Sequence, residues 1–418
     1  MGAYLSQPVT EKESGNRRDA RFDGGYSAMQ GWRTNMEDQH LLELNIDDRG
    51  TAVFGVFDGH GGQEVAHFVE RHLVEELRAT PGYGKGEFDA ALRDAFVRLD
   101  QRMCTREGCK ELMTYRAKED SETEGSGGGP RENQLMALIK QQLGAKRAAG
   151  GEDQDGDGKY VITLGQGGQG GLQLTAVRDL GEGAGGMDDD DDDERGTDVT
   201  LEAPGGGGGG GGGDMDLGGG RFVGMTDPDD GPPGEVEPPS AAGCTAVVAM
   251  VTPENVLYVA NAGDSRAVLS RNGVAVALSV DHKPDDEEEH SRIIAAGGGV
   301  IDGRVNGSLN LSRAIGDLEY KRNRRLPADK QIVTAVPDIR REQLTAQDEF
   351  IIVACDGIWD ILENQDAVDF VRERLQRGVD TETICKEMCD RCLAPDTQGT
   401  GKGCDNMTVV VVKLNIKT

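Results

Sequence analysis

Thr51-Ala-Val-Phe-Gly-Val-Phe57, followed without a break by Asp58-Gly-His-Gly-Gly62, is the stretch on which the fold turns. The first seven residues form an apolar, β-branched and aromatic run, which predicts a buried strand. A carboxylate then stands at the strand's end among glycines. Directly beyond, Gln63–Arg78 places Val65, Phe68, Val69, His72, Leu73 and Leu77 at helical spacing, and Pro81 closes the region. Phe88, Leu92, Phe96 and Leu99 repeat that spacing in a second predicted helix.

Far along the chain the same kinds of segment return. Cys244–Val251, Val256–Asn261 and Ala267–Leu269 read as short strands joined by turn residues, and Glu349–Cys355 and Met407–Leu414 as apolar strands. Helical patterns occupy His290–Ala296, Gln365–Gln376 and Thr381–Leu393. Strands and helices are grouped rather than strictly alternating, which favours an α+β layered fold over a doubly wound sheet.

Between these two pieces the composition changes. Residues 121–240 hold 34 of the 62 glycines, with 25 Asp+Glu against 8 Lys+Arg, so this segment contributes −17 of the chain's net −30. It includes an unbroken acidic run, Asp188–Glu194, and an unbroken glycine run, Gly205–Gly213. Such sequence buries too little apolar surface to offset the entropy of ordering its backbone. We read residues 1–20 as a flexible leader and 21–120 as the first part of one domain. Residues 121–240 read as a disordered Gly-rich acidic insertion with a short helical island at Gln134–Gln142, and 241–418 as the second part of the domain.

The charge argues against direct nucleic-acid binding, which needs clustered cations, and suits basic protein partners. Eight cysteines without a secretory leader suggest free thiols in a reducing setting, so cytoplasm, nucleus or both are expected. No apolar run of membrane-spanning length occurs. Met1-Gly2-Ala3-Tyr4-Leu5-Ser6 fits N-myristoylation of Gly2. The competing reading is a leader that merely begins Met-Gly, and one acyl chain would anchor only weakly.

A few of the 75 acidic residues sit where solvated ones are not expected. Asp58 and Asp356 each end an apolar strand and precede a glycine; Asp264 lies in the turn Gly263-Asp-Ser-Arg266; Asp405-Asn406 leads into the last strand. One such aspartate is ordinarily a turn former. Four of them, at rigid strand ends, can converge on a point, and hard cations such as Mg²⁺ or Mn²⁺ want an oxygen-rich set of this kind.

With these residues assembled, a resemblance is legible. Arg33-Thr-Asn-Met-Glu37-Asp38, Asp58-Gly-His-Gly-Gly62, Gly243-Cys-Thr-Ala246, Asn261-Ala-Gly-Asp-Ser-Arg266, Asp281-His-Lys-Pro284, Ser312-Arg-Ala-Ile-Gly-Asp317, Cys355-Asp-Gly-Ile-Trp-Asp360 and Cys404-Asp-Asn-Met-Thr408 occur in that order. The two compact pieces resemble the metal-dependent, type 2C protein serine/threonine phosphatases throughout. Met1–Thr10 and the acidic insertion look most like the gamma-type branch of that family. Ile315 stands where the family commonly has Phe, an apolar exchange.

The resemblance implies a central β-sandwich of two antiparallel sheets flanked by helices on both sides, a four-layer αββα arrangement. It implies two divalent cations, Mg²⁺ or Mn²⁺. Asp58, Asp356 and Asp405 would hold one; Asp58 and the Gly59 carbonyl would hold the other, with Glu37 joining through water. Asp264 with Asp356 matches a weaker third position, while Asp38 and Asn406 would orient ligands. A water shared by the two cations would be acidified into the nucleophile. Arg33 would grip the phosphoryl oxygens, and His60 would protonate the departing serine or threonine oxygen. Phosphorylated proteins are the implied partners, and a monomer is expected.

Other signals are weaker. Asp153-Gln-Asp-Gly-Asp-Gly158 begins like an EF-hand loop, but Leu164 stands where the bidentate Glu belongs, so calcium is not expected. Cys385, Cys389 and Cys392 share a helical face and read as core, while Cys104 and Cys355 read as packing or incidental rather than as nucleophiles. Lys321-Arg-Asn-Arg-Arg325 is a nuclear import signal, a substrate-attracting surface or a solvated loop. An acidic scaffold that captures basic clients is the rival to an enzyme.

Overall fold

The computed structural model describes residues 4–124, 160–167, 171–178, 199–200 and 241–416. The chain divides into two compact units, one of residues 1–128 and 231–418, the other of residues 129–230.

The larger unit is built on two antiparallel sheets. One has six strands in the order Tyr4–Arg18, Phe22–Arg33, Met407–Leu414, Asp348–Ala354, Arg266–Arg271, Val274–Ala277. The other has five, in the order Asp338–Gln343, Val256–Ala262, Ala246–Val251, Ala52–Phe57, Gln39–Glu43. The strand read first from sequence, Ala52–Phe57, is buried at every residue. Its alternation divides its side chains between two cores. Val53 and Phe57 join Phe68, Leu73, Leu92 and Phe96 of the helices Glu64–Ala79 and Phe88–Met103. Phe54 and Val56 join Phe22, Leu269, Ile351 and Val410 of the six-stranded sheet. A third core sets Val409 and Val411 against Val368, Val371, Ile384 and Met388 of the helices Asn364–Gln376 and Thr381–Cys392.

Two differences from the sequence reading stand out. Tyr4–Arg18, expected within a flexible leader, is an edge strand paired from Tyr4↔Arg33 to Arg18↔Asp23. Its side chains are half-buried or exposed, so its order comes from backbone pairing rather than from an apolar signature. In the smaller unit, Tyr160–Gly167 pairs with Gly171–Arg178, and Val199–Thr200 joins them, so strand pairing occurs inside the segment expected to lack order. Gly2, the island at 134–142 and the EF-hand-like residues 153–158 lie outside the described residues. Cys385, Cys389 and Cys392 are buried with their sulfurs against the carbonyls of Gly25, Ser27 and Ile358. Among the described residues no helix is long and apolar enough to cross a membrane.

Phe54 is fully buried between the sheets, edge to face with Phe22 at 5.6 Å. Phe54→Ala should therefore lower the unfolding free energy by about 3–5 kcal/mol, read as a reduced urea midpoint.

Candidate active site

Two of the connections between the sheets pass along one rim, and they carry acidic residues. Residues 34–38 connect Phe22–Arg33 of the six-stranded sheet to Gln39–Glu43 of the five-stranded one, bearing Glu37 and Asp38. The turn with Asp264 connects Val256–Ala262 to Arg266–Arg271 and so makes a second crossing. Asp58 ends Ala52–Phe57, Asp356 follows Asp348–Ala354, and Asp405 lies two residues before Met407–Leu414. Two glycines let backbones meet there. A β-carbon on Gly59 would lie 2.2 Å from the Glu37 carbonyl oxygen, and one on Gly357 would lie 2.0 Å from that of Asn406.

The result is one cavity of about 290 Å³ lined by Arg33, Glu37, Asp58, Gly59, His60, Asp264, Asp356, Asp405 and Asn406 among others. Every residue singled out from sequence therefore lines it except Asp38, which is buried beneath, in a group with Asp58 and Cys355 whose potential ligand atoms lie within 4.8 Å of one another. Asp38 Oδ2 accepts from the Thr408 hydroxyl at 2.7 Å, while Oδ1 is buried without a hydrogen-bond partner among the described residues. Asn406 ties the rim together: its amide donates to the Gln30 and Asn35 carbonyls at 2.9 and 3.0 Å, and its Oδ1 accepts from the Glu37 N–H at 2.9 Å. Arg33 Nη2 donates to Asp405 Oδ2 at 2.5 Å. His60 Nε2 meets Asp317 Oδ2 at 2.8 Å.

Residues 22–126 and 232–401 match the family Protein phosphatase 2C. The chain belongs to the protein phosphatase 2C family. It is similar to Probable protein phosphatase 2C 21 of Arabidopsis thaliana, 37% identical over 413 residues that cover 99% of this chain and 92% of that protein. Protein phosphatase 2C 1 of Paramecium tetraurelia is 35% identical over 418 residues, 99% of each chain. The fold also matches the crystal structure of a serine-threonine phosphatase 2C from Toxoplasma gondii, with a TM-score of 0.55 at 17% identity over 99% of this chain and 98% of that one. The protein is accordingly a protein serine/threonine phosphatase of a metal-dependent family.

Electrostatics in this phosphatase explain why such a site suits cations. Burial, then the charges of Asp38, Asp356, Asp405 and Asp264, push the Asp58 pKa well above the usual carboxylate range. Burial, then Asp264, Asp405 and Asp360, do the same to Asp356. Burial raises Asp38 from 3.8 to about 7, against the Thr408 hydrogen bond that favours its charge. Buried carboxylates that repel one another are a donor set that hard divalent cations fit. Burial holds the Cys355 thiol far above its usual range, and its Sγ accepts from the Thr408 N–H at 3.1 Å, so this sulfur packs rather than ligates.

Two residues of functional weight were missed from sequence, although both lie inside quoted motifs. Lys283 pairs with the buried Asp264, and Asp317 pairs with His60. Neither follows a long apolar run that would mark it in the sequence. Lys321, by contrast, is not part of a free basic cluster, since its ammonium donates to Asp100 and to the Ala314 carbonyl, both at 2.7 Å. Arg322, Arg324 and Arg325 are exposed.

A carboxyl with a raised folded-state pKa binds its proton more tightly folded than unfolded, so its stabilising effect is complete below the unfolded value and is lost as pH rises through the folded one. For Asp38 that window runs from about pH 4 to pH 7. In EDTA the urea midpoint should therefore fall between pH 5 and pH 8, with a shallower fall in Asp38→Asn and recovery at pH 8 on adding Mn²⁺. A flat profile in EDTA would contradict the charge crowding.

Proposed function

We propose that this phosphatase hydrolyses phosphoserine and phosphothreonine in proteins with two divalent cations, Mg²⁺ or Mn²⁺, held at the rim by Asp58, Asp356 and Asp405 and by Asp58 with the Gly59 carbonyl. Glu37 takes part through water, Asp264 with Asp356 forms a weaker third position, and Asp38 and Asn406 orient the others. The observation that carries this reading is the gathering of Asp58, Asp264, Asp356 and Asp405, from four separate stretches of chain, around one cavity.

Such cations, when bound, neutralise phosphoryl charge and lower the pKa of a water that attacks phosphorus. The remaining work falls to side chains. Arg33 is held through Nη2 by Asp405, its Nε has no partner among the described residues, and its planar guanidinium grips phosphoryl oxygens. Burial opposes the charge on His60, but the charge and hydrogen bond of Asp317, then Glu37 and Asp264, outweigh it and raise its pKa above the ordinary value. His60 is thereby kept able to give a proton to the departing oxygen.

The three apolar cores support a four-layer αββα arrangement, with each sheet covered on its outer face by helices. The acidic composition of residues 121–240 supports kinship with the gamma-type branch and a role in holding basic proteins. A scaffold of this kind is compatible with catalysis, because residues 129–230 form a unit of their own.

The purified chain should hydrolyse a phosphothreonine peptide with Mn²⁺ and stop in EDTA. Asp356→Ala should reduce kcat by about 100-fold or more with an unchanged circular dichroism spectrum; a fully active variant would defeat the assignment. Deleting Gly129–Asp230 should leave turnover of a small aryl phosphate within about threefold while removing salt-sensitive retention of a basic protein. A deletion variant that still retains it would refute the binding role.

A further inference from the structure

The smallest sheet at the site has three strands, Ile315–Gly316, Gly243–Cys244 and Gly59–His60, in that order. Its register sets Gly316 opposite Gly243 and Gly243 opposite His60. Asp317, the next residue, is thus delivered across the middle strand to the His60 ring, which it meets through Nε2 at 2.8 Å. Gly243 lies under the contact. A β-carbon there would fall 2.5 Å from Asp317 Oδ2 and 2.7 Å from His60 Nε2.

Much of the surroundings serves to hold Asp317. It is 2% exposed and has a φ of +49°, a left-handed backbone that a non-glycine residue adopts at a cost. Its N–H donates to the Ala242 carbonyl at 2.9 Å. The preceding Gly316 N–H donates to Asp100 Oδ1 at 2.8 Å, and Asp100 is clamped in turn by Lys321. Strain and burial retained at one carboxylate point to a task at its partner. Among the described residues the other ring nitrogen, Nδ1, has no protein partner, and His60 lines the cavity.

We propose that Asp317 is a positioning residue for phosphate-ester cleavage: it fixes the His60 ring through Nε2 and thereby assigns Nδ1 as the nitrogen that serves the leaving oxygen. The assignment rests on the reading of His60 as proton donor. Water oxygen bonds to phosphorus as the bond to the serine or threonine oxygen breaks, and that oxygen keeps the electron pair. The Nδ1 proton passes to it, and the ring is left neutral with Nε2–H still donated to Asp317. Asp317 remains unprotonated throughout, so its part is to fix tautomer and orientation.

The consequence depends on the leaving group. A serine alkoxide needs the proton, whereas a nitrophenolate leaves readily without one. Asp317→Asn should therefore lower kcat for a phosphoserine peptide by about 10- to 100-fold more than kcat for p-nitrophenyl phosphate, with KM for the peptide changed little. In a His60→Ala background the same substitution should produce no further selective loss. Gly243→Ala reaches the pair with Asp317 unaltered and should give the same selective loss, which covers the case in which Asp317→Asn fails to fold. Equal losses on both substrates in the two folded variants, or a full selective loss persisting without His60, would overturn the role of Asp317 while leaving the phosphatase centre standing. A wild-type chain inactive on both substrates with Mn²⁺ would overturn both.

Discussion

Repulsion between carboxylates kept close together and away from water governs this protein. Two unit charges 4 Å apart interact by about 4 kcal/mol in surroundings of effective dielectric near 20, and here Asp58, Asp264, Asp356 and Asp405 face the same cavity above a buried Asp38. No local piece of chain would adopt that arrangement. It persists because each acid is fastened to the end of a strand whose side chains are committed to one of three apolar cores. Arg33 on Asp405, Lys283 on Asp264 and the Thr408 hydroxyl on Asp38 relieve part of the strain. The relief is incomplete, and that incompleteness is what gives the site its appetite for cations.

Two of the connections that carry the chain from one sheet to the other also pass along this rim. Each crossing places a short, stiff connection between strands packed into different sheets, so its residues have little freedom to relax away from one another. Asn406 shows how the rigidity is shared: a single amide links the end of one strand, the crossing with Asn35 and Glu37, and the entry to another strand. Binding geometry of this kind is set before any ligand arrives, which spares the ordering cost that a flexible site would incur on binding.

How much of this could be read in the sequence follows from what each residue faces. Strands buried on both sides, Ala52–Phe57, Asp348–Ala354 and Met407–Leu414, announce themselves as apolar runs, and Asp58, Asp356 and Asp405 are conspicuous against them. Edge strands do not. Asp338–Gln343 reads Asp-Ile-Arg-Arg-Glu-Gln, with most of its side chains exposed, and Tyr4–Arg18 has no fully buried residue. Phe22–Arg33 is central to its sheet yet broken by glycines at 24, 25 and 31 that permit close contacts with neighbours and weaken the pattern. Asp317 was hidden for another reason. Its importance lies in a pairing 257 residues away in sequence, and no local spacing encodes that.

The strand Met407–Leu414 lies between Phe22–Arg33 and Asp348–Ala354, joining the beginning of the domain to its far end while presenting Asp405 at the rim. Closing so long a loop is slow in entropic terms and is rewarded only when the strand docks. The segment that completes the large sheet is therefore the same one that supplies a carboxylate to the cavity. A polypeptide interrupted anywhere upstream of that point lacks both at once, the interior strand of the large sheet and one carboxylate of the cavity.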